Sequence, residues 1–202
     1  MAIKNIIFDV DGVLVDLDHG LRGYLRTLPE YAEIDYSDFA RLFPRAFDRG
    51  SFELPDEFKP GWLASPFWND RPVLPGVPEA LAKLRAAGYN LALLSAASGR
   101  PEEKREWLRG LFGKYVRDIE ISGLGDKVDF IREILARHGW TAEETIMVDD
   151  RFPNLRSALN AGIGAVRLLP RLGVKELPLD LAALRTIESL TELTELLENG
   201  GL

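Results

Sequence analysis

The chain has 202 residues, of which 46% are hydrophobic, with no cysteine and a formal net charge of −7. The negative charge argues against a surface for nucleic acid polymers, since that binding relies on Lys and Arg side chains that neutralise phosphates. The absence of cysteine excludes a disulfide framework, a cysteine-bound zinc ion and a thiol nucleophile. The length suits one α/β domain with a small insertion.

No segment of the sequence approaches the roughly 18 apolar residues of a membrane span. Met1 to Lys4 lead directly into the first predicted strand, without a long apolar stretch. We therefore expect a cytoplasmic protein with no membrane partner.

The first predicted strand runs from Ile3 to Phe8 and ends in three apolar residues. Asp9-Val10-Asp11-Gly12-Val13 comes directly after it. Gly12 lets the backbone turn, so two carboxylates emerge around one small site where a buried strand ends. A pair of this kind is typical of a metal anchor, or of a nucleophile with its acid/base partner.

Residues 16–70 lose the strand pattern and become rich in aromatic and charged residues. Phe39, Phe43 and Phe47 recur at a spacing of four, which predicts a helix. The segment Arg71-Pro72-Val73-Leu74-Pro75-Gly76 marks a boundary, because Pro and Gly interrupt regular elements. We therefore predict a helical insertion at 16–70 within a core made of 1–15 and 71–202.

Beyond this boundary, helical and strand patterns alternate to the end of the chain. The predicted helices are Pro78–Ala87, Pro101–Phe112, Lys127–His138, Pro153–Ala161 and one that Ser189 begins; the predicted strands are Leu91–Leu94, Ile119–Ile121, Thr145–Val148 and Ala165–Leu168. Thr141-Ala142-Glu143-Glu144 predicts a capping box on a single turn. The alternation predicts a three-layer α/β core, in which helices cover both faces of a parallel sheet.

Polar side chains follow three predicted strands at the point where each strand ends. They are Asp9 and Asp11 after the first strand, Ser95 after Leu91–Leu94, and Asp149 with Asp150 after Thr145–Val148. Because the carboxyl ends of parallel strands lie at one edge of a sheet, these side chains can converge. Converging carboxylates raise one another's pKa unless a cation lies among them. The pattern therefore predicts a Mg²⁺ site that also receives a phosphate.

Each of these residues has a simpler interpretation when it is taken alone. Asp149 and Asp150 could form a turn and a helix cap, and Ser95 could be an ordinary strand-end serine. Lys127 could be a solvated surface residue. A Lys at a helix N-terminus is unfavourable against the helix dipole, however, and an anion in the site would explain it. The joint occurrence of these residues favours one shared site.

In these residues the chain resembles the haloacid dehalogenase-like hydrolase superfamily. The four motifs of that family are similar to Asp9-Val10-Asp11-Gly12-Val13, to Leu93-Leu94-Ser95, to Lys127 at a helix start, and to Val148-Asp149-Asp150-Arg151 followed by Asn154. The resemblance implies a Rossmann-like core and phosphoryl transfer through an aspartyl-phosphate. Asp9 would be the nucleophile, and Asp11 would protonate the leaving oxygen and later take a proton from water.

The resemblance also implies how a metal and a phosphate are held. Mg²⁺ would bind the Asp9 carboxylate, the Asp11 backbone carbonyl and Asp150, with Asp149 as a direct or water-mediated ligand. A second set would bind the phosphoryl oxygens: Ser95, Ala96 and Lys127.

The second carboxylate of the first motif separates the possible reactions. Dehalogenase members usually lack it, because a halide leaves without an acid, so Asp11 favours a phosphatase of a small phosphorylated metabolite. A phosphomutase matches the motifs equally well and stays an alternative. A non-catalytic module that binds a phosphorylated ligand or a partner is a third possibility, which the complete motif set disfavours because such a module needs no acid/base Asp.

The insertion resembles the small helical cap of the first cap class, which closes over the site and excludes water. Asp16-Leu17-Asp18-His19 and Pro66-Phe67-Trp68 are similar to segments of the 5′(3′)-deoxyribonucleotidase branch. This resemblance implies a nucleoside monophosphate or a sugar phosphate as substrate, with His19, Phe67 and Trp68 as candidate contacts. The simpler interpretation places Phe67 and Trp68 in the core of the insertion itself. We expect a monomer or a homodimer.

Overall fold

The computed structural model describes residues 2–33, 50, 54–97, 99–123, 125–170 and 174–202. Its strands are β1 (Asn5–Phe8), β2 (Asn90–Ala96), β3 (Asp118–Ser122), β4 (Thr145–Asp149), β5 (Gly164–Leu168) and β6 (Arg185–Ile187). They form one parallel sheet in the order β3-β2-β1-β4-β5-β6. The two strands that carry acidic ends, β1 and β4, are therefore neighbours at the centre of the sheet.

The described helices flank this sheet and form the insertion. They are α1 (Leu17–Leu25), α2 (Lys59–Ala64), α3 (Val77–Ala86), α4 (Pro101–Phe112), α5 (Val128–His138), α6 (Phe152–Asn160) and α7 (Leu190–Glu198). None of the helices in the described ranges is long and apolar enough to cross a membrane.

Both faces of the sheet are buried, as β1 shows. Ile6 and Phe8 belong to the cluster that contains Leu81 of α3 and Leu193 of α7. Ile7 points to the opposite face, because side chains alternate along a strand, and it belongs to the cluster that contains the inner residues of α5 and α6. The expectation of a three-layer Rossmann-like core is confirmed.

The predicted strands and helices of the core lie within two residues of the observed ones, with two corrections. Arg185–Ile187 forms β6, which the sequence analysis missed because three residues carry no measurable periodicity. The capping box at Thr141 does not form: the residues Ala142–Glu144 make a single 3-10 turn without a side-chain cap. The Thr145 hydroxyl donates to the Thr141 carbonyl at 2.7 Å instead.

The insertion enters and leaves the core side by side. The Asp16 amide donates to the Pro72 carbonyl at 2.8 Å, and the Leu74 amide donates to the Leu14 carbonyl at 2.9 Å. The described part of the insertion has its own hydrophobic cluster: Leu21, Tyr24, Leu25, Leu54, Trp62 and Trp68. The helix predicted around Phe39, Phe43 and Phe47 lies outside the described residues, and the boundaries of the insertion stay a prediction.

Glycines let α1 approach the aromatic residues of this cluster. A Cβ added at Gly23 would lie 2.4 Å from the Phe67 ring, well inside van der Waals contact. Gly110, in the last turn of α4, has no such neighbour within 4 Å. Close packing therefore requires a glycine at position 23 but not at position 110.

We expect Gly23→Ala to destabilise the protein and Gly110→Ala to stabilise it. Alanine favours a helix over glycine by about 1 kcal/mol, and at Gly110 nothing offsets this gain. At Gly23 the Phe67 ring must move, and overpacking of this kind costs about 1–3 kcal/mol. Chemical denaturation of the two variants measures the difference, and equal stabilisation by both would contradict the close packing of α1.

Candidate active site

A tight turn after β1 places the first two carboxylates. The amides of Val13, Leu14 and Val15 all donate to the Val10 carbonyl, at 3.2, 2.8 and 3.1 Å. Gly12 has a φ of +85°, a conformation that a residue with a Cβ rarely adopts. The turn sends the Asp9 and Asp11 side chains in different directions.

Gly12 is also required by its neighbour across the sheet edge. A Cβ at this position would lie 2.6 Å from Asp150 Oδ2, which no ordinary packing allows. The glycine therefore gives the Asp150 carboxylate room to approach the end of β1.

Asp9, Asp149 and Asp150 form the predicted acidic cluster. One carboxylate oxygen from each lies within 4.8 Å of the others, and all three residues are buried. Asp149 Oδ1 accepts hydrogen bonds from the Arg151 amide at 2.9 Å and from Asn154 Nδ2 at 3.1 Å. Three buried oxygen donors suit a divalent cation, so the residues present fit a metal site.

Lys127 lies within this cluster rather than on the surface. Its buried Nζ donates to Asp9 Oδ1 at 2.5 Å, to Asp149 Oδ2 at 3.2 Å and to the Leu94 carbonyl at 3.1 Å. Burial lowers the pKa of Lys127, but the Asp149 and Asp9 carboxylates outweigh it and raise that pKa above its usual range. Burial raises the pKa of Asp9 to about 6, although the Lys127 ammonium opposes the shift.

Asp11 is held by two cations that the sequence analysis did not identify. Arg71 Nη1 donates to its Oδ1, and Lys104 Nζ donates to its Oδ2 at 2.5 Å. Burial acts to raise the pKa of Asp11, but the Arg71 and Lys104 charges lower it to about 2. Burial also lowers the pKa of Lys104, against the effect of the Asp11 carboxylate.

Ser95 lies next to this cluster, within β2, and is completely buried. Its hydroxyl has no hydrogen-bond partner in the described part of the chain, an uncommon condition for a buried polar group. The carbonyls on either side of it are occupied, since Leu94 accepts from Lys127 and Ala96 accepts from Lys104. Ser95 is therefore a buried hydroxyl without a partner in the described residues, and the carbonyls before and after it in β2 accept from the two lysines.

A further buried cation, Arg167, lies close to Asp150. Its guanidinium donates to the Val174 carbonyl and, at 2.6 Å, to the Lys175 carbonyl, and it packs 5.0 Å from the Phe152 ring centre. Burial lowers its pKa, an effect that the Asp150 charge opposes. Arg167 therefore ties the backbone at Val174 and Lys175 to β5.

The three candidate contacts in the insertion have different surroundings. Trp68 is buried in the cluster of the insertion, and Phe67 packs against it from the side of α1. His19 is exposed, with its Nε2 3.8 Å from Asp70 Oδ2. Their contact with a substrate stays a prediction.

Arg71, Lys104 and Arg167 are the charged site residues that sequence reasoning missed. The sequence contained a signal for the burial of Lys104, because Lys104, Leu108 and Phe112 are spaced four residues apart. All three lie on the buried face of α4. The sequence contained no such signal for Arg71, since Arg71 lies in the Pro-rich boundary and its partner Asp11 is 60 residues away.

The sequence was compared with models of known protein families, and one family matches. The model of the haloacid dehalogenase-like hydrolases matches residues 3–162, which include every residue of the acidic cluster. The chain belongs to this family. The expectation of a haloacid dehalogenase-like hydrolase, and of an enzyme, is therefore confirmed.

Three proteins similar to this haloacid dehalogenase-like hydrolase share 18–25% sequence identity with it. A 5′-nucleotidase of Pseudomonas aeruginosa is 25% identical over 183 residues, with 82% of each chain covered. The Bacillus subtilis protein YfnB, whose structure holds magnesium and reveals interdomain movement, has a TM-score of 0.74 at 19% identity, covering 98% of this chain and 99% of its own. The Rhodobacter sphaeroides protein CbbY in complex with phosphate has a TM-score of 0.64 at 18% identity, with 95% and 96% covered. These two likenesses show the shared fold.

We expect Gly12→Ala to weaken divalent metal binding by about tenfold or more, because the new Cβ displaces a carboxylate of the cluster. Gly88→Ala is the matched control: its φ is +93°, but nothing lies within 4 Å of the added Cβ. Both variants bear the backbone strain of a positive φ, and only Gly12→Ala should lose affinity in titration calorimetry with Mg²⁺. Equal affinities would contradict the placement of Asp150 in a metal site.

Proposed function

We propose that the chain is a Mg²⁺-dependent phosphatase of small phosphomonoesters, with Asp9 as its nucleophile. The observation that carries this proposal is the Asp9 carboxylate, buried at the end of β1 between Lys127 and two further carboxylates. Membership of the hydrolase family and the similarity to a 5′-nucleotidase support phosphoester hydrolysis.

The reaction would proceed in two displacements at phosphorus. In the first, an Asp9 oxygen bonds to phosphorus, the bond to the leaving oxygen breaks, and Asp11 transfers a proton to that oxygen. In the second, a water oxygen attacks the aspartyl-phosphate and transfers a proton to Asp11, and the Asp9 carboxylate is released. The products are an alcohol and inorganic phosphate.

The metal would be held by Asp9, Asp149 and Asp150, together with the Asp11 backbone carbonyl. These oxygen donors are the type that Mg²⁺ prefers. A bound Mg²⁺ offsets the repulsion between the attacking carboxylate and the anionic substrate. Asn154 and the Arg151 amide hold Asp149 in place for this role.

The phosphate would be bound by Ser95, Ala96 and Lys127. The Ser95 hydroxyl is a buried donor without a partner in the described residues, so it is available to a phosphoryl oxygen. Lys127 already reaches Asp9 with its ammonium group, and a phosphoryl group on Asp9 would come close to the same charge.

The substrate class is drawn from the relative and from the insertion. Because the Pseudomonas aeruginosa relative is a 5′-nucleotidase, we propose a nucleoside 5′-monophosphate, with a sugar phosphate as the second class. The insertion at 16–70 would act as a small cap over the site, and His19, Phe67 and Trp68 would be its contacts. Trp68 belongs to the cluster of the insertion and Phe67 packs against it, so both side chains also have a structural role.

We expect phosphate release from a panel of nucleoside 5′- and 3′-monophosphates and sugar phosphates to depend on Mg²⁺ and to stop with EDTA. Asp9→Asn should lower kcat by about 10⁴-fold or more, since removal of a nucleophile leaves little of the reaction. Asp129→Asn, an exposed Asp on α5, is the control and should keep full activity.

Other outcomes of the panel would contradict the proposal in distinct ways. Interconversion of phosphate esters without release of inorganic phosphate would indicate a phosphomutase. Binding of phosphorylated compounds without any turnover, unchanged in Asp9→Asn, would indicate a binding module.

A further inference from the structure

Each of the two aspartates of the first motif is bound by a buried lysine that also donates to a backbone carbonyl of β2. Lys127 Nζ joins the Asp9 carboxylate to the Leu94 carbonyl, and Lys104 Nζ joins the Asp11 carboxylate to the Ala96 carbonyl. The two carbonyls flank Ser95 on β2. Lys104 therefore contacts the proposed acid/base residue as Lys127 contacts the proposed nucleophile. It also connects Asp11 to the end of β2, which would bind phosphate.

Arg71 reaches Asp11 from a different element. It follows the insertion directly, and its guanidinium lies 5.2 Å from the Trp68 ring centre and 4.4 Å from the Trp107 ring centre. Trp68 belongs to the insertion and Trp107 to α4, so the guanidinium is held between the two parts of the chain. Stacking of this kind is a role for which Lys is a poor substitute.

The two cations take separate oxygens of one carboxylate. Arg71 donates to Oδ1 and Lys104 to Oδ2, so contacts from two directions oppose rotation of the Asp11 side chain. A cation in contact with only one of the two oxygens would neutralise the carboxylate without fixing its plane. The arrangement therefore fixes the direction in which the Asp11 carboxylate faces.

General stability does not account for this arrangement. Arg71 is buried, but its Nε and Nη2 have no hydrogen-bond partner in the described part of the chain. Buried ion pairs often contribute no more to stability than apolar side chains of the same size. An incompletely satisfied guanidinium beside the acid/base residue indicates a functional role.

We propose that Lys104 and Arg71 are positioning residues that hold the Asp11 carboxylate toward the leaving-group oxygen. This inference rests on the proposed phosphatase function. It adds to the four family motifs one lysine on α4 and one arginine directly after the insertion, neither of which touches the substrate in this role.

Two substrates with different leaving groups test the proposal. An alkyl phosphomonoester, taken as the nucleotide or sugar phosphate that the wild-type enzyme hydrolyses fastest, needs a proton on its departing oxygen. 2,4-Dinitrophenyl phosphate releases a stable phenolate that needs none. The constant to compare is kcat/KM, because it reports the steps up to formation of the aspartyl-phosphate and leaves out its hydrolysis.

We expect Lys104→Met and Arg71→Met each to lower kcat/KM about 100-fold for the alkyl substrate and less than about threefold for the aryl substrate. Met keeps much of the packing volume of either side chain, and circular dichroism shows whether each variant is folded. Arg109→Ala, an exposed arginine on the same helix as Lys104, should change neither constant.

A double-mutant cycle separates positioning from an independent effect. If Lys104 acts through Asp11, adding Lys104→Met to Asp11→Asn should produce no further loss on the alkyl substrate. Equal losses on both substrates, or additive losses in the cycle, would overturn the proposal while leaving the phosphatase function intact. A wild-type enzyme that hydrolyses neither substrate would instead remove the proposed function on which it rests. Should one Met variant fail to fold, the other and Arg71→Lys carry the same comparison.

Discussion

The pairing of buried carboxylates with buried cations is the constraint on which the site depends. Asp9, Asp149 and Asp150 lie together at the carboxyl ends of two central strands, where burial and the neighbouring Asp149 charge raise the pKa of Asp9. Lys127 offsets part of this charge from within the cluster. The remaining negative charge is what makes the same place suitable for a divalent cation.

A second pairing, around Asp11, uses cations from outside the central strands. Lys104 comes from α4, and Arg71 comes from the point where the insertion returns to the core. The two ends of the insertion are tied by backbone hydrogen bonds between 14–16 and 72–74, so Arg71 is brought back to the turn that carries Asp11. The chain therefore delivers a cation to the core site at the point where it returns from the insertion.

The sequence predicted most of the fold because its periodicities are strong and local. Helices such as Pro101–Phe112 have clear starts and apolar faces, and the strands are short apolar runs between turn residues. The strand Arg185–Ile187 and the missing cap at Thr141 mark the limit of this reasoning. A three-residue strand is defined by its pairing with β5, and a capping interaction competes with other local hydrogen bonds such as the one from Thr145.

By itself, the sequence determined the parallel α/β core, the family, and the acidic cluster with Ser95 and Lys127, because these residues occupy fixed places at strand ends and helix starts. Only the tertiary structure decided how they are partnered. Lys127 contacts carboxylates 118 and 22 residues away, and Asp11 meets Arg71 and Lys104 across 60 and 93 residues. A spacing pattern can place a charged side chain on the buried face of a helix, as it does for Lys104. It does not name the partner, because the partner is set by the packing that brings distant segments together.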